Sequence, residues 1–421
     1  MLIFALWAAT HLRFGKAEPA PRIGITDAEL SRIADRQKVK GNAVDYGRID
    51  HRLQALMKAP NMIGLAVGIV EGGQIRFLKG YGETVAGSGD PVTPNTLFRW
   101  ASVSKGVAAD MVSVLAADGK VSLSAPIARY QTTLRLPAGD EYRATVADLL
   151  SHRLGLFSHA NDSKLEDGVD PHMLRASMAQ LNAICSPGTC WAYQNVAYDT
   201  ASEIVAKATG KSYEESVKER LFLPLGMRTA SMNRDALLTA PSWARPYAGT
   251  KASKPVEVTD SYYRVPAAGG VNSSIKDLAI WMQAQMGLSP AVIPQRALDA
   301  VQTALVPTAQ ELGRMRKFRE RVRTASYGLG WRIYDYAGHR VIAHRGGVRG
   351  YRSLIMFDPA LKSGVVALWN SSTNQPGGLE FEVMDMIYHL EPHDWLGVDA
   401  RATPEQPEPE GSGNSSVDAG G

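Results

Sequence analysis

Residues 98–105 read Phe98-Arg99-Trp100-Ala101-Ser102-Val103-Ser104-Lys105, and an apolar run from Val107 to Leu115 follows them. The spacing of the apolar residues predicts a helix over residues 103–117. Ser102 would open this helix, and Lys105 would stand one turn later on the same face, within reach of the serine oxygen. The stretch therefore predicts the start of a helical region, with Ser102 and Lys105 next to each other in its first turn.

This pairing has a chemical meaning and a structural alternative. A serine hydroxyl is a poor nucleophile unless a neighbouring group accepts its proton, and a desolvated lysine is able to do so. The helix N-terminus favours an oxyanion and disfavours a protonated Lys105. Alone, so short a motif is more often a helix cap and a surface lysine. A second Ser-x-x-Lys at residues 273–276 has Asp277 three residues after Ser274, a capping pattern that indicates a structural role.

Apolar runs on both sides of the helical region predict β-strands. Upstream, residues 63–70 and 74–81 are joined by Glu71-Gly72-Gly73, which predicts a β-hairpin. Downstream, four runs separated by turn residues predict antiparallel strands at residues 327–334, 340–343, 351–357 and 364–369.

Helical periodicity dominates the middle of the chain. Helices are predicted at residues 103–117, 145–151, 172–183, 195–208, 212–222 and 275–286. We therefore expect an α+β fold in which an antiparallel β-sheet is flanked by helices and carries an inserted all-helical lobe, with a ligand cleft between sheet and helices.

The predicted parts of the chain follow from these patterns. They are a leader and N-terminal arm (1–45), a single domain (46–395) with a sheet lobe (46–100 and 325–395) and a helical lobe (101–305), and a disordered tail (398–421).

The composition is that of an ordinary globular protein. The chain has 421 residues, of which 45% are hydrophobic and 21% charged, so it can bury a sizeable core. The formal net charge is +4, and the basic residues are scattered apart from one dense run at residues 314–323. A solvated helical face or loop explains this run, and a grip on phosphates or an anionic surface is the alternative. We predict no nucleic acid partner.

Two features predict export to the periplasm or the medium. Residues 1–10 resemble the apolar core of a secretion signal, although no basic segment precedes them; a buried helix is the alternative, and membrane association through this segment stays open. Cys185 and Cys190 flank the turn-forming residues 186–189, which favours a small disulfide loop and an oxidising compartment. Two reduced thiols in a cytosolic protein are the alternative.

Two further motifs follow Ser102 and Lys105. Tyr193-Gln194-Asn195 comes after the cysteine loop, and His344-Arg345-Gly346-Gly347 falls at the end of a predicted strand. In this order the motifs resemble the Ser-x-x-Lys, Tyr-x-Asn and Lys/His-x-Gly signatures of the serine β-lactamase superfamily, specifically class C β-lactamases, serine DD-carboxypeptidases and related esterases. The likeness covers about residues 46–390 and includes residues 148–156, 187–189, 224–227 and 266–271.

The resemblance implies a role for each residue of the first two motifs. Ser102 is expected to be the acylated nucleophile, and Lys105 its proton acceptor. Tyr193 is expected to share the base role and to return a proton to the leaving group. Asn195 is expected to orient Lys105 and the substrate amide.

The third motif is expected to form the opposite wall of the site. The resemblance implies that the strand with His344 and Gly346 lines this wall. It also implies an oxyanion hole made by the backbone amides of Ser102 and Gly347.

The third motif departs from the pattern of strong β-lactamases, which carry lysine and threonine where this chain has His344 and Arg345. Histidine at this place is similar to DD-peptidases and some esterases, so we do not expect efficient antibiotic hydrolysis. Arg345, with Arg349 and Arg352 close by in sequence, is a candidate for binding a substrate carboxylate through its guanidinium fork. Arginines that simply face solvent are the alternative for Arg349 and Arg352.

Other classes of protein fit the sequence less well. The chain contains no Gly-x-Ser-x-Gly elbow, which excludes an α/β-hydrolase. His152, His159 and Asp162 lie near one another but match no zinc spacing, and His152 is interpreted as a packed, hydrogen-bonded histidine.

We predict neither a metal nor a cofactor. The expected partner is a small-molecule or peptide substrate, whether a lactam, a D-amino-acid peptide or an ester, and the alternative function is a penicillin-binding sensor or scaffold without turnover.

Overall fold

The computed structural model describes residues 24–39, 41–249 and 254–399. Its strands are β1 (Gly64–Glu71), β2 (Gln74–Gly82), β3 (Leu97–Arg99), β4 (Asn272–Ser274), β5 (Val306–Pro307), β6 (Val322–Tyr327), β7 (Arg332–Tyr336), β8 (His339–Val348), β9 (Tyr351–Asp358) and β10 (Ser363–Trp369). Within the described residues, eight of them form one antiparallel sheet in the order β2-β1-β10-β9-β8-β7-β6-β5, and β3 pairs with β4.

The helices lie mainly between β3 and β5 in the chain. They are α1 (Asp27–Gln37), α2 (Tyr46–Leu56), α3 (Ser104–Ala117), α4 (Val146–Leu150), α5 (Asp162–Glu166), α6 (Pro171–Ser177), α7 (Thr200–Thr209), α8 (Tyr213–Val217), α9 (Leu223–Leu225), α10 (Arg234–Leu238), α11 (Pro266–Gly269), α12 (Ile275–Gln285), α13 (Gln295–Gln302), α14 (Ala309–Arg314) and α15 (Leu379–Ile387). The chain thus begins the sheet, leaves it for a helical region and returns to complete it, which confirms the predicted α+β fold.

The sheet separates two hydrophobic cores because both of its faces are covered. Side chains of a strand point alternately to opposite faces. In β1, Leu65, Val67 and Ile69 belong to the core that also contains residues of α2 and α15, whereas Ala66 and Val70 belong to the core shared with the helical region. This explains why β1 reads as a continuous apolar run rather than an alternating one.

The predicted hairpin of β1 and β2 is confirmed, and its turn uses Gly72 and Gly73, both with positive φ. β1 also pairs with β10, from Leu65 opposite Trp369 to Val70 opposite Gly364. This pairing joins segments almost 300 residues apart in the chain and closes the sheet around the helical insertion.

Helix α3 is buried on all sides. Every residue from Ser104 to Leu115 is buried, which is typical of a helix at the centre of a large core. It packs against α7, α11 and α13. The only charged side chains in this buried stretch are Lys105 and Asp110, and both are completely buried.

The helix predicted at 172–183 ends at Ser177 and is followed by a 3₁₀ turn, Met178–Gln180. Two other predicted elements are divided or displaced near the site. The strand predicted at 327–334 is two strands, because β6 ends at Tyr327 and β7 begins at Arg332. Between them lies a turn in which Gly330 has a φ of +74° and approaches the Lys105 carbonyl so closely that a Cβ would lie 2.7 Å from that oxygen. The helix predicted at 195–208 begins only at Thr200, since the residues before it form the irregular segment described with the site below.

The basic run at 314–323 is only in part a solvated face. Arg321 is buried, and its Nε donates to Asp385 at 2.8 Å. Lys317 donates to the Trp395 carbonyl at 2.7 Å. These contacts give the run a structural role in holding the C-terminal segment.

Several predictions about the termini lie outside the described residues, namely the signal-like segment at 1–10 and the tail beyond 399. Of the predicted arm, α1 is described and packs against β2. Val398 is buried and the Asp399 carboxylate binds Arg52, so residues 398 and 399 belong to the folded body rather than to the tail. No helix in the described ranges combines the length and the apolar character needed to cross a membrane.

Candidate active site

Ser102 lies in a short 3₁₀ turn, Ala101–Val103, between β3 and α3. The residue before it, Ala101, has a φ of +49°, a conformation that is strained for a residue with a side chain. The turn is held on both sides, because the Trp100 amide donates to the Val271 carbonyl and the Ser353 hydroxyl donates to the Trp100 carbonyl. Ser102 therefore stays partly exposed while its neighbours are buried.

Lys105 is buried beneath this turn. Its Nζ donates to Asn195 Oδ1 at 2.6 Å and to the Ala268 carbonyl at 2.9 Å, and neither acceptor is charged. Burial lowers the pKa of Lys105 to about 7; the charge of Asp162 opposes this shift, and that of Arg332 reinforces it. Near neutral pH a large share of Lys105 is thus an uncharged amine that can accept a proton.

Tyr193 lies over the same lysine. Lys105 Nζ is 4.7 Å from the centre of the Tyr193 ring, and the phenol is buried. Burial raises the pKa of Tyr193 to about 12, although Arg332 and the nearby Ser102 hydroxyl lower it. The Tyr193 hydroxyl has no well-aligned hydrogen-bond partner among the described residues. In the resting protein the phenol is neutral, so of these two groups Lys105 is the better base.

Asn195 connects Lys105 to a carboxylate. Its Nδ2 donates to Asp162 Oδ2 at 2.6 Å, and the same oxygen is 2.8 Å from His159 Nδ1. His159 is partly exposed and its ring lies 5.4 Å from that of Tyr193. In the sequence, His159 and Asp162 only fail to match a zinc site, and nothing there indicates this role because Asp162 and Asn195 are 33 residues apart.

His344 does not face the cleft with its side chain. The side chain is completely buried, its Nδ1 is 2.8 Å from the Arg345 carbonyl, and its Nε2 is 3.0 Å from Arg332 Nη1. Because Arg332 can only donate, Nε2 accepts and Nδ1 carries the proton. Burial lowers the pKa of His344 well below its usual value, in agreement with this neutral form. The strand that carries His344 lies at the predicted wall, but the buried side chain does not reach the cleft, so the prediction of His344 as a substrate-binding side chain is corrected.

A buried polar network lies behind Tyr193. The Tyr327 hydroxyl is 3.2 Å from Nε2 of His344 and 3.2 Å from Nε2 of His152. His152 also accepts the Gln194 amide at Nδ1, which confirms its interpretation as a packed, hydrogen-bonded histidine. Arg332 is paired with Glu311 at 2.7 Å. Neither Arg332 nor Tyr327 was expected at the site from the sequence.

Arg332 brings a permanent positive charge to the site. Its guanidinium carbon is 5.7 Å from the centre of the Tyr193 ring. The charge lowers the pKa of both Tyr193 and Lys105. A cation buried here therefore favours the deprotonated forms of both groups.

Gly346 and Gly347 bring β8 against the Ser102 turn. A Cβ at Gly346 would lie 2.2 Å from the Trp100 carbonyl, so only glycine permits this approach. Gly347 is exposed, and both glycines line a cavity of about 600 Å³. They occupy the wall predicted from the sequence.

Arg345 lines the same cavity, but its guanidinium is bound by α15. Its Nε donates to Glu380 Oε1 at 2.8 Å, its Nη2 binds the same carboxylate oxygen, and Nη2 also donates to the Gly377 carbonyl. The guanidinium is thus already paired with a carboxylate of α15. The prediction that Arg345 binds a substrate carboxylate is corrected for this reason.

The cysteine loop supports the segment that carries Tyr193. Cys185 and Cys190 are joined by a disulfide bond, as the sequence predicts. The loop is fixed to the segment after α4, since the Ile184 amide donates to the Gly155 carbonyl and the Gly188 amide to the Arg153 carbonyl. Tyr193 follows the loop within three residues, so the bond limits the movement of its backbone.

Comparisons with known proteins give the family. A sequence profile described as Beta-lactamase matches residues 49–385. Unguisins hydrolase ungD of Aspergillus violaceofuscus (strain CBS 115571) is 29% identical over 373 residues, covering 81% of this chain and 64% of that protein, so the chain spans less than two thirds of its length. Penicillin-binding protein 4 of Amycolatopsis lactamdurans is 27% identical over 332 residues, covering 77% of this chain and 84% of that protein.

A solved structure shares the fold. The octameric penicillin-binding protein homologue from Pyrococcus abyssi superposes with a TM-score of 0.73 at 24% identity, covering 84% of this chain and 80% of that chain. The matching profile spans both the sheet and the helical region, including all three motifs. We conclude that the chain belongs to the β-lactamase family.

Proposed function

We propose that this protein is a serine hydrolase that forms an acyl-enzyme on Ser102 and cleaves amide, lactam or ester bonds. The observation that carries the proposal is the environment of Lys105, a completely buried amine with a pKa of about 7 beside the neutral phenol of Tyr193. A lysine of this kind is able to accept a proton at neutral pH, which an exposed lysine is not. Membership of a family that includes a named hydrolase supports the proposal.

Each step of the reaction has a residue suited to it. Uncharged Lys105, with Tyr193, removes the proton of the Ser102 hydroxyl while the serine oxygen forms a bond to the substrate carbonyl carbon. The carbonyl oxygen becomes an oxyanion, and the amides of Ser102 and Gly347 bind it. As the tetrahedral intermediate collapses, Tyr193 gives a proton to the leaving amine or alcohol. The Lys105 ammonium, which holds the proton taken from Ser102, reprotonates Tyr193. Water then attacks the Ser102 ester while Lys105 with Tyr193 accepts a proton from the water, and this proton returns to the Ser102 oxygen as the acid is released.

The substrate is proposed from the third motif. The positions of His344 and Arg345 carry neither the lysine nor the threonine of strong β-lactamases, and the Arg345 guanidinium is paired with Glu380. We therefore propose a small ester or a D-amino-acyl peptide rather than a β-lactam as the preferred substrate. Export is proposed as well, since a disulfide bond suits an oxidising compartment.

The proposal is tested with Ser102→Ala and a matched control, Ser124→Ala, which alters an exposed serine remote in sequence from all three motifs. Hydrolysis of a p-nitrophenyl ester and labelling by a fluorophosphonate are expected to be lost in Ser102→Ala and kept in Ser124→Ala. Circular dichroism and the melting temperature show whether each variant is folded. A folded Ser102→Ala variant that retains turnover would place the nucleophile elsewhere.

A sensor without turnover is the second candidate. Such a protein is acylated on Ser102 by the same residues, but it does not release the acyl group. The two functions differ in the fate of the acyl group. If the acyl group that fluorescent penicillin or an ester transfers to Ser102 is released within minutes, the protein is a hydrolase. A label that is permanent with every lactam, peptide and ester tried supports the sensor.

A further inference from the structure

The third motif places a neutral ring, not a cation, next to Tyr193. The rings of Tyr193 and His344 have centres 6.5 Å apart. Because Arg332 donates to Nε2 of His344 at 3.0 Å, the single proton of this ring is on Nδ1, which lies 2.8 Å from the Arg345 carbonyl. The histidine is thus uncharged, and the guanidinium behind it is the group that carries a charge.

Arg332 reaches this place from the neighbouring strand. It is the first residue of β7 and pairs with Ala343 of β8, the residue before His344. Its guanidinium carbon is 5.7 Å from the centre of the Tyr193 ring. Lys105 Nζ is 4.7 Å from the same centre, so the guanidinium lies within about 10 Å of this amine. The Arg332 side chain is only 10% exposed, so solvent screens its charge little.

Two arginines share the one carboxylate that binds Arg332 in the described part of the chain. Glu311 of α14 accepts the Nε of Arg332 at 2.7 Å through Oε2, and it accepts Nη1 of Arg314 at 2.6 Å through Oε1. The Nε of Arg332 thus points to Glu311, whereas its Nη1 points to His344. The three charged side chains together keep a net positive charge, and its buried cation is the one that faces the site.

The other polar groups around Arg332 do not cancel its charge. Burial raises the pKa of Tyr334 to about 12 and raises that of Tyr327 well above its usual value, so both phenols are neutral. Glu380 shares a small cavity of about 170 Å³ with Arg332, but its carboxylate is paired with Arg345.

The charge of Arg332 acts on both groups that handle protons in the proposed reaction. Burial is the largest influence on the pKa of Lys105 and on that of Tyr193, and the charge of Arg332 lowers both. Glu311 raises the pKa of Tyr193, but its effect is smaller than that of Arg332. The orientation of the guanidinium, with Glu311 at Nε and His344 at Nη1, agrees with this order.

We propose that Arg332 is a positioning residue that supplies, from β7, the fixed positive charge that the third motif lacks on β8. It acts through Lys105, Tyr193 and His344 rather than on the substrate. This inference rests on the proposed function and adds to it the group that keeps Lys105 able to accept a proton near neutral pH. The chain can therefore carry histidine at position 344 without losing a cation from the site.

The test measures the pKa of Lys105 directly, by ¹³C NMR of protein labelled with [ε-¹³C]lysine. An unperturbed lysine titrates near pH 10.4, roughly three units above the value of about 7 for Lys105. A signal that titrates near 7 and is absent from Lys105→Ala is that of Lys105. This titration needs neither a substrate nor turnover.

The decisive comparison removes the charge of Arg332 without leaving Glu311 buried and unpaired. Glu311→Gln and the double variant Glu311→Gln with Arg332→Gln have the same neutral residue at position 311, so they differ only in the cation. The pKa of Lys105 is expected to be about one unit higher in the double variant, as for a charge about 10 Å away at an effective dielectric constant of about 20.

Two further variants keep the charge. Arg332→Lys should leave the pKa of Lys105 at its wild-type value, because the cation is retained. Arg323→Gln, which alters an exposed arginine of β6, is the control and should also leave it unchanged. Circular dichroism shows whether each variant is folded. If the amide pair does not fold, Glu311→Leu with Arg332→Met replaces it and is compared with the wild type, since an apolar pair often substitutes for a buried ion pair.

The rate at which a fluorophosphonate labels Ser102 shows whether the same shift governs the reaction. The rate is expected to rise with pH as Lys105 loses its proton, and the midpoint should be about one pH unit higher in the double variant than in Glu311→Gln. At pH 6 the double variant should thus react about tenfold more slowly, and at pH 9 about equally fast. A merely structural role of Arg332 would lower the rate alike at both pH values.

Each result decides for or against the role of Arg332. An equal pKa of Lys105 in Glu311→Gln and in the double variant would overturn it. A shift in Arg332→Lys as large as that in the double variant would overturn it too, because the charge would not be the cause.

The proposed function is judged separately. Ester hydrolysis by the wild type, with an equal pKa of Lys105 in the two variants, would support the hydrolase and reject the role of Arg332. The expected pKa shift in a protein that neither hydrolyses esters nor reacts with the fluorophosphonate would support the action of Arg332 on Lys105 and reject the hydrolase.

Discussion

At the scale of single residues, the decisive feature is an amine that is buried without a negative charge in contact with it. Lys105 donates to the Asn195 amide oxygen and to the Ala268 carbonyl, which satisfy its hydrogen bonds but do not neutralise it. Burial therefore dominates and lowers its pKa to about 7. The Ser-x-x-Lys motif predicted the position of this lysine, but its protonation state depends on everything that surrounds it.

The pH dependence of activity follows from this pKa. Because the uncharged amine is the base, kcat/KM for an ester is expected to rise as pH increases through about 7 and to fall below it, when Lys105 becomes protonated. In Lys105→Ala, kcat/KM should fall by a factor of about 10²–10⁴, and its rise with pH near 7 should disappear. Lys276→Ala, in the second Ser-x-x-Lys sequence, is the control and should keep both. A rising limb near pH 7 that persists in Lys105→Ala would assign the titration to another group.

The charge of Asp162 acts on the pKa of Lys105. Its negative charge raises the pKa of Lys105, so Asp162→Asn is expected to move the rising limb of the pH profile to lower pH. Asp167→Asn, an exposed aspartate at the end of the same short helix, is the control. The profile of kcat/KM from pH 5 to 9 is the measurement. A limb that stays at the wild-type pH would show that Asp162 does not act on Lys105 electrostatically.

At the scale of elements, β8 packs so closely against the Ser102 turn that there is no room for a side chain at Gly346. Gly346→Ala would bring a methyl group to 2.2 Å from the Trp100 carbonyl, a backbone atom that cannot rotate away. We expect a loss of about 1–3 kcal/mol in the free energy of unfolding, as for overpacking in a core, and a loss of kcat with it.

Gly313→Ala is the matched control for this change. The added Cβ meets no atom within 4 Å, and the residue lies in helix α14, so stability should stay the same or rise slightly. Urea denaturation of both variants gives the two free energies. Equal stability of Gly346→Ala and the wild type would mean that β8 can move away from Trp100.

At the scale of the whole molecule, one buried arginine holds the last described residues to the first part of the domain. Arg52 of α2 donates to Glu382 on α15 and to Asp394 and Asp399 beyond it. Arg52 and Glu382 are both buried. Removing one partner of such a pair leaves an uncompensated charge, so Arg52→Ala is expected to lower the free energy of unfolding by about 3–5 kcal/mol.

The comparison for Arg52→Ala is Lys38→Ala. Lys38 pairs with Asp35 at the surface, with both side chains mostly exposed, and its loss should cost about 1 kcal/mol or less. Denaturant midpoints measure both effects. If Arg52→Ala unfolded at the wild-type midpoint, the network would not contribute to holding the C-terminal segment.

Local patterns in the chain account for many of the elements and for the motifs. Apolar periodicity predicted the hairpin, the helices α3, α4, α6, α7, α8 and α12, and the later strands β7 to β10, because these patterns are local properties of the chain. The two cysteines around a turn predicted the disulfide loop, and the residues of the three motifs were recognised in their order. Apolar periodicity did not predict the break between Tyr327 and Arg332, which exists because Gly330 packs against the Lys105 carbonyl.

Which polar groups meet, and how they titrate, depends on the packing of the folded chain. Lys105 and Asn195 are 90 residues apart, and His152 and Tyr327 are 175 apart, so no local pattern records their contact. The same holds for Arg345, which resembled a substrate ligand in the sequence but is paired with Glu380 in the fold. Burial and long-range contact are properties of the whole packed molecule, and they set the pKa of each group and the charge of the cavity.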